Sequence, residues 1–509
     1  MIRRADFAEQ SQSQNTLELS QQVNIEQIAG NGPFVKLCRK PDFQRETNQW
    51  SPNQVSALIK SFAYGELIPS LILWKSDNYN FVIDGAHRLS ALRAWTNDDY
   101  GDKGVSSAFF GGKLGDEQIS KAKTTRRMVE REVGRYSHFH QAYMDDTTDD
   151  EIQSLASNIF SRSLHVQWIQ GSQEVAESSF FKINSQGTAL DKTEELLLRH
   201  RSKPHAIASR SVVRAATGHK YWSAFPTQQD EIEELAESLH GKLFSPELKE
   251  PIKTLDLPIG GTSSPVDALK MLVDIFAISE NSLNPKKLLE AAEVDLDGTQ
   301  TVKKLKQATK IIGRMTGNEA PSLGLHPAVY FYTERGAFSR FMFLGTLLAL
   351  SKRVNNNDKK WFKKFTEVRA DLENTLVDRK SVINQGLANV NSSTRIQKVC
   401  DLLDSLVHHY DTSNEAVTDQ ELLGFLGLKG NAGNLQIIDA PTGFTVDVKS
   451  AAYLQEAVQN APNCRICGAR MNIATSVSYD HINPKKSGGA GTQDNVAMTH
   501  PYCNTAIKN

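Results

Sequence analysis

The chain has 509 residues, of which 39% are hydrophobic and 23% are charged, and its formal net charge is -1. This length favours about two to four domains over a single core. It contains no run of about 18 apolar residues, and the start MIRRADFAEQ lacks the apolar segment of a secretory signal. We therefore expect a cytoplasmic protein with no membrane-spanning segment.

The N-terminal part predicts mixed α and β structure. Residues 1–35 are rich in Gln, Ser and Asn and predict a loose lead-in, whereas residues 36–200 predict a folded domain. Within that domain SPNQVSALIKSFAYGE predicts a helix, with Ser51 as its N-cap and Pro52 at its first position. LILW and FVID, separated by KSDNYN, predict a β-hairpin, and RLSALRAW predicts a helix directly after it.

The middle of the chain predicts helices. Residues 115–200 are expected to be mostly helical, with the acidic run DDTTDDE as a solvated turn and helix start, and with Asp191 capping the last helix. Residues 201–415 alternate amphipathic segments with Pro and Gly breaks and predict a helical coupling region. The aromatic segment HPAVYFYTERGAFSRFMF is expected to be core rather than a base-binding surface. A junction follows, and a cysteine-bearing module is expected over residues 436–509.

The five cysteines favour metal ligation over disulfides. Cys38 and Cys400 stand alone, whereas the other three lie close together near the C-terminus. Two of these, Cys464 and Cys467, are separated by two residues, and His500-x-x-Cys503 supplies a second pair with the same spacing. Four such ligands predict a closed, structural zinc site. The zinc would hold together a segment too small to build its own core.

Between the two ligand pairs, SYDHINPKKSGG predicts a strand that ends at Asp480-His481. A carboxylate suits a hard cation such as Mg2+, and a neutral imidazole on the opposite side of the strand can deprotonate a water molecule. The pattern therefore indicates metal-assisted phosphodiester hydrolysis, with Asn504 as a second oxygen ligand. The alternative is a structural zinc ribbon in which Asp480 and His481 are surface residues.

The C-terminal segment resembles an HNH, or ββα-metal, nuclease of the zinc-knuckle type. The matching positions are Cys464, Cys467, Asp480-His481-Ile482, Pro484, Gly488-Gly489, Asp494-Asn495, His500, Cys503-Asn504 and Lys508. His500 stands where this family usually has cysteine, which exchanges one zinc ligand for another.

The resemblance also implies roles. It makes His481 the general base, Asp480 and Asn504 the ligands of a catalytic Mg2+ or Mn2+ ion, and Asn495 a brace for the loop behind the base.

Lys485 and Lys486 follow the predicted base on the same loop. We expect them to contact the DNA backbone through salt-dependent bonds that are largely blind to sequence, although two solvated loop lysines are an equal alternative. The last 50 residues hold five Lys or Arg against two Asp, so any nucleic-acid contact should be local. A homodimer is one expectation, because many HNH enzymes that cut both strands act as dimers.

A second group of motifs lies near the N-terminus. FVIDGAHRLSALRAW places Asp84-Gly85 at a strand end and His87 and Arg88 in the first turn of a helix, where free amides and an arginine suit a phosphate. Arg45, in PDFQRETNQW, is expected in the same pocket. Each feature alone is weak, because an arginine at a helix start is more often solvated or salt-bridged.

Together these motifs resemble the ParB/sulfiredoxin-like domain at the front of GmrSD-type, type IV restriction enzymes. The resemblance spans roughly residues 35–200 and rests on Phe43-Gln44-Arg45, Asp84-Gly85-Ala86-His87-Arg88, Phe181, Asn184, Gly187 and Leu190.

It implies an NTP-binding domain that gates a nuclease, whose nucleotide site comprises Gln44, Arg45, Asp84, Gly85, His87 and Arg88. The family's glutamine within Asp-Gly-x-x-Arg is replaced by Ala86-His87, so NTP binding is better supported than hydrolysis. His87 fits a catalytic role and a phosphate-positioning role equally.

The sequence thus predicts a multidomain α+β protein with a ParB/sulfiredoxin-like N-terminal domain, a mainly helical middle and a small ββα-metal zinc-knuckle domain. Its predicted function is a nucleotide-regulated, metal-dependent DNA endonuclease of prokaryotic anti-phage defence, restricting foreign or modified DNA. One alternative is a ParB-like nucleotide- or DNA-binding regulator with a structural zinc module. Another is an RNA-cleaving abortive-infection effector, because such an active site recognises phosphate geometry and not the sugar.

Overall fold

The computed structural model describes residues 2–5, 7, 20–30, 32–41, 50–76, 78–110, 112, 114–145, 149–186, 191–217, 219–261, 265–428 and 444–507. The chain divides into two compact units. The first comprises Met1–Arg201 with Thr217–Tyr221, and the second comprises Ser202–Ala216 with Trp222–Asn509.

The first unit is built on a six-stranded mixed sheet with strand order β1-β3-β5-β4-β6-β2. Its strands are β1 (Arg4–Ala5), β2 (Gln22–Asn24), β3 (Cys38–Pro41), β4 (Leu71–Lys75), β5 (Asn80–Asp84) and β6 (Ser163–Ile169). β4 and β5 pair antiparallel, which confirms the predicted hairpin. Alternate residues of β5 point to opposite faces, so that Val82 joins one apolar cluster while Phe81 and Ile83 join another. Both faces of the sheet are therefore covered.

Ten helices surround this sheet in the described part of the unit. They are α1 (Ile25–Ile28), α2 (Pro33–Leu37), α3 (Pro52–Ala63), α4 (Ala86–Asn97), α5 (Gly104–Phe109), α6 (Asp116–Glu132), α7 (Tyr136–Met144), α8 (Asp150–Ser161), α9 (Gln173–Gln186) and α10 (Lys192–Arg199). Ser51 and Gln54 form a capping box at the start of α3, Asp149 caps α8 and Asp191 caps α10, as predicted for Ser51 and Asp191. The polar side chains that precede these helices therefore set where they begin.

The prediction that residues 115–200 are mostly helical is confirmed by α6 to α10, but one strand among them was not predicted. This strand, β6, pairs with β4 in parallel and with β2 antiparallel. Its sequence SLHVQWI alternates buried Leu164 and Val166 with exposed His165 and Gln167. This period of two is the signature of a half-buried strand.

The second unit is mainly helical. Its helices are α11 (Pro204–Val212), α12 (Gln229–Phe244), α13 (Pro265–Ser279), α14 (Pro285–Ala291), α15 (Thr299–Met315), α16 (Pro327–Tyr330), α17 (Arg340–Asn355), α18 (Lys359–Glu367), α19 (Arg369–Asp378), α20 (Lys380–Asn389), α21 (Arg395–Thr412), α22 (Asp419–Phe425) and α23 (Val446–Gln459). Tyr330, Phe331, Tyr332 and Phe343 are at most 2% exposed, which confirms that the aromatic segment is core.

The most apolar stretch of the chain lies in α17, whose residues Met342 to Ser351 are all buried inside this unit. A continuous apolar surface is expected of a helix at the centre of a bundle. None of the helices in the described ranges combines the length and the apolar character that a membrane crossing requires.

The second unit ends in a small β-hairpin element. β7 (Ser478–His481) pairs antiparallel with β8 (Val496–Thr499), and short helical turns cover Lys485–Ser487, Gln493–Asn495 and Cys503–Ile507. β7 ends at His481, where the sequence places it. The predicted α+β class, with a helical middle and a small C-terminal metal-type domain, is confirmed.

Candidate functional site

The four predicted zinc ligands form one compact cluster. The ligand atoms of Cys464, Cys467, His500 and Cys503 all lie within 4.8 Å of one another. Gly468, directly after Cys467, closes the turn that carries the first two ligands with a φ of 70°, and its N–H donates to the carbonyl of Cys464 at 2.8 Å. Three thiols and an imidazole at these separations fit a tetrahedral metal ion with soft and borderline ligands.

The surroundings of His500 favour its neutral form, which is the form that binds a metal ion. Its Nδ1 faces the sulfur atoms, at 3.4 Å from Cys467 Sγ and 3.9 Å from Cys503 Sγ, while Nε2 lies 3.1 Å from the carbonyl oxygen of Arg470. Burial and the nearby Arg369 guanidinium lower the pKa of His500 below its ordinary value. Nε2–H can therefore donate to the carbonyl, which leaves the Nδ1 lone pair for a metal.

One thiol of the cluster is favoured in its charged form, while the hydrogen bonds that Cys467 and Cys503 make with it raise their own pKa values. Hydrogen bonds from Cys467 and Cys503 lower the pKa of the Cys464 thiol well below its ordinary value. Because the thiolate is the form that binds metals, the cluster is chemically suited to a metal ion.

The hairpin next to this cluster presents Asp480 and His481 on opposite faces. Residues alternate along β7, so His481 shares a face with the exposed Tyr479, and Asp480 shares the other face with Ser478. The strand partner of Asp480 is Ala497, which is buried. A carboxylate and an imidazole are thus adjacent in sequence and directed to different sides of one strand.

Asn504 lies against the same strand, near the Asp480 side. Its Nδ2 donates to Ser478 Oγ at 2.8 Å and to the carbonyl oxygen of Tyr479 at 3.4 Å. Ser478 and Asp480 share a face of β7, so the carboxamide borders the face that carries the carboxylate. It belongs to a π-helical turn, and such turns are frequent at functional sites.

Asn495 closes the loop that follows His481. Its Oδ1 accepts from the N–H of Asn483 at 2.6 Å, and its Nδ2 donates to the carbonyls of Asn483 at 3.1 Å and Ala490 at 2.7 Å. A Cβ at Gly489 would lie 1.8 Å from the carbonyl oxygen of Asn483, so no larger residue fits this closure. The loop carries Lys485 and Lys486, both of which are exposed.

The N-terminal motif also adopts the local structure that the sequence predicts. Asp84 ends β5, Gly85 precedes α4 with a φ of 92°, and His87 and Arg88 lie in the first turn of that helix. A Cβ at Gly85 would lie 2.5 Å from Leu71 Cδ2, so this position accommodates only glycine.

Arg88 is engaged in an ion pair. Its Nη2 donates to Asp84 Oδ2 at 2.6 Å and to the carbonyl oxygen of Ser70 at 3.0 Å. The His87 ring lies 5.6 Å from the Trp50 ring, centroid to centroid. The strand end, the glycine and the first helical turn are therefore assembled, and Asp84 balances the charge of the arginine.

Several residues of the predicted nucleotide site lie outside the described residues. These are Gln44 and Arg45, together with Phe43, Gly187 and Leu190 of the supporting motifs. Lys508 of the C-terminal pattern is also outside them.

Sequence reasoning missed one pair of residues at the metal cluster. Arg369 and Glu373 lie on α19, and Arg369 Nη1 is 3.3 Å from His500 Nδ1. Their spacing of four residues is common on helices, and Arg369 is 131 positions from His500, so no local pattern could have revealed the contact.

Comparisons with protein families agree with both groups of motifs. Residues 25–200 match the model of the GmrSD restriction endonuclease N-terminal domain, and residues 464–509 match that of the HNH endonuclease. No curated protein and no solved structure matches the chain significantly.

The two matched regions together support a nuclease of the restriction type. More specifically, the chain joins a GmrSD-type N-terminal domain to a C-terminal HNH endonuclease domain, as the motif resemblance predicts.

Proposed function

We propose that this protein is a nucleotide-regulated DNA endonuclease that restricts foreign or modified DNA, such as phage genomes, in a prokaryotic cytoplasm. The observation that supports the proposal best is the arrangement around β7. Asp480 and His481 occupy opposite faces of one strand, and Asn504 borders the Asp480 face, beside a cluster of three cysteines and a histidine.

In the proposed mechanism His481 acts as the general base. Its imidazole takes a proton from a water molecule, whose oxygen then forms a bond to the phosphorus of the scissile phosphodiester while the bond from phosphorus to the leaving oxygen breaks. Asp480 and Asn504 would hold a Mg2+ or Mn2+ ion, which supplies stabilisation of the charge that develops on the leaving oxygen. Asn495 keeps the loop after His481 closed through its three hydrogen bonds, and this loop carries Lys485 and Lys486 towards the nucleic-acid backbone.

In this proposal the cysteine cluster has a structural role. Cys464, Cys467, His500 and Cys503 would bind one Zn2+ ion and leave no coordination position open for water, which distinguishes structural from catalytic zinc. The module can gain from such an ion, because two of the three buried members of its apolar cluster, Cys464, Met471 and Cys503, are themselves proposed ligands.

The N-terminal domain would regulate cleavage by binding a nucleoside triphosphate. Gly85 and the first turn of α4 offer backbone N–H groups, and Arg88 offers a guanidinium once it exchanges Asp84 for a phosphate. Gln44, Arg45, Asp84 and His87 complete the proposed site. Binding is proposed more firmly than hydrolysis, because Ala86-His87 replace the family's glutamine.

The test is a cleavage assay with purified protein and Mg2+. Unmodified plasmid, modified phage DNA and single-stranded RNA are each incubated with and without each NTP, beside the His481→Ala variant. We expect DNA cleavage that requires His481 and changes with a nucleotide. Cleavage of RNA alone would instead favour an abortive-infection effector. No cleavage of any substrate by a zinc-loaded, nucleotide-bound protein would favour a binding regulator.

A further inference from the structure

The metal cluster of the HNH domain is completed by a buried ion pair from the helical region. Arg369 is the first residue of α19, and Glu373 lies one turn later on the same helix. The side chains of Arg369 and Glu373 are only 1% and 0% exposed, and Arg369 Nε donates to Glu373 Oε1 at 2.7 Å. Two ionised groups are rarely buried so completely unless they have specific partners.

The guanidinium joins α19 to the segment on which His500 rests. Its Nη1 donates to the carbonyl oxygen of Leu323 at 2.5 Å, and its Nη2 donates to that of Gly324 at 3.1 Å. Gly324 lies beside the proposed metal ligand His500. A Cβ built at this glycine would lie only 3.0 Å from His500 Cδ2. Arg369 therefore fixes the backbone against which the imidazole packs.

Glu373 makes a corresponding contact with the segment that follows the first two ligands, Cys464 and Cys467. Its Oε2 accepts the N–H of Arg470 at 2.8 Å, and the carbonyl oxygen of Arg470 lies 3.1 Å from His500 Nε2. Its Oε1 also accepts from the buried Tyr330 hydroxyl at 3.1 Å. The ion pair thus contacts both the ligand histidine and the residue that orients its ring.

The charge of the Arg369 guanidinium matters as much as its hydrogen bonds. A zinc ion bound by three thiolates and a neutral imidazole has one excess negative charge, and burying an uncompensated charge is costly. The Arg369 guanidinium lies 3.3 Å from the ligand nitrogen of His500.

We propose that Arg369 is a positioning residue for the zinc site, which compensates the charge of the Cys3His cluster and holds the backbone beneath His500. This inference rests on the zinc site of the proposed function. If Arg369 has this role, the zinc affinity of the HNH domain depends on a helix outside the matched nuclease segment. A change in the position of α19 would then change zinc affinity.

Zinc affinity of the full-length protein tests this directly, by competition with a chromophoric chelator. Outer partners of metal ligands typically change metal affinity by about 10- to 100-fold. We expect Arg369→Met, which removes charge and donors, to weaken zinc binding by about that factor. Arg369→Lys keeps the charge but not the planar set of N–H donors, so its zinc affinity should lie between those of Arg369→Met and wild type.

The matched control is Arg353→Met. Arg353 lies on α17 in the same unit, is 18% exposed and pairs with Asp404 at 2.7 Å, and we expect its removal to leave zinc affinity unchanged. Wild-type zinc affinity in both folded Arg369 variants would overturn the proposal. If circular dichroism shows that Arg369→Met does not fold, wild-type affinity in Arg369→Lys overturns it alone.

Failure of the nuclease assignment gives a different result. A wild-type protein that binds zinc tightly but cleaves nothing would refute the proposed function and leave the role of Arg369 standing. A wild-type protein that binds no zinc would refute both the zinc site of the proposed function and the role of Arg369.

Discussion

The two candidate functional regions of this chain both place residues at the end of a strand, but they differ in how completely their predicted residues are brought together. At the C-terminus, four metal-type ligands lie within 4.8 Å of one another, beside a strand that carries Asp480 and His481. At the N-terminus, the strand, glycine and helix turn are in place, but Arg88 is paired with Asp84 and two of the proposed nucleotide residues lie outside the described part of the chain.

The difference follows from what fixes each site. The metal cluster is fixed by short spacings, since each ligand pair spans four residues and one hairpin brings the pairs together. The proposed phosphate site would need residues from separate segments and an arginine that exchanges its carboxylate partner for a phosphate. The ligands of the first site come from one short module, whereas the residues of the proposed second site come from separate segments, and we therefore expect the two regions to differ in their sensitivity to substitution.

The largest expected effect is the loss of the metal cluster through Cys464→Ala. Removing a ligand that is 1% exposed should abolish stoichiometric zinc binding, unfold the hairpin region and eliminate cleavage, because zinc binding and folding are coupled in small metal modules. Metal analysis and thermal unfolding of the full chain measure this. Cys400→Ala removes another buried cysteine and should retain one zinc per chain. A Cys464→Ala protein with full zinc content would show that the cluster is not the site.

The next effect should be confined to catalysis. His481→Ala is expected to reduce the cleavage rate by about 10²- to 10⁴-fold, the usual contribution of a general base, while zinc content and thermal stability remain those of wild type. The control is His408→Ala, which removes an exposed histidine from α21 in the same unit. Equal cleavage rates for the two variants would refute the assigned base.

A smaller effect is expected at the N-terminal site. Arg88→Ala removes a charge-assisted hydrogen bond to phosphate, which contributes about 1.5–3 kcal/mol, so NTP affinity should fall by roughly 10- to 100-fold. Calorimetry with each NTP measures the change, and Arg127→Ala, at an exposed position on α6, is the control. Unaltered NTP binding by Arg88→Ala would leave the helix start without a role in phosphate recognition.

Much of both regions could be predicted from the sequence because it depends on local rules. The cap at Ser51, the hairpin of β4 and β5 and the strand end at His481 each follow from a few neighbouring residues. β6 was not predicted, although its alternation of apolar and polar residues is visible in the sequence. Helical segments surround it, and its partner strands β4 and β2 are distant in sequence.

The environment of the metal cluster could not be predicted in the same way. Arg369 reaches His500 only because α19 packs against the C-terminal module, and a buried ion pair on one helix looks in sequence like any exposed i,i+4 pair. Long-range packing decides which of these pairs becomes buried. The ligands of a site are therefore easier to recognise from sequence than the residues that support them.

The smallest effect concerns Lys485 and Lys486, which are exposed on the loop after the proposed base. If both meet phosphates, replacing them with alanine should weaken DNA binding and make the logarithmic salt dependence shallower by about 1.8, because each duplex phosphate contact contributes about 0.9. Anisotropy with a DNA duplex, in a His481→Ala background that does not cleave, measures both quantities. Lys359→Ala with Lys360→Ala replaces another adjacent exposed pair, on α18, and should leave the slope unchanged. Equal slopes for the two double variants would mean that the loop lysines are only solvated, and the hairpin would then contact DNA without them.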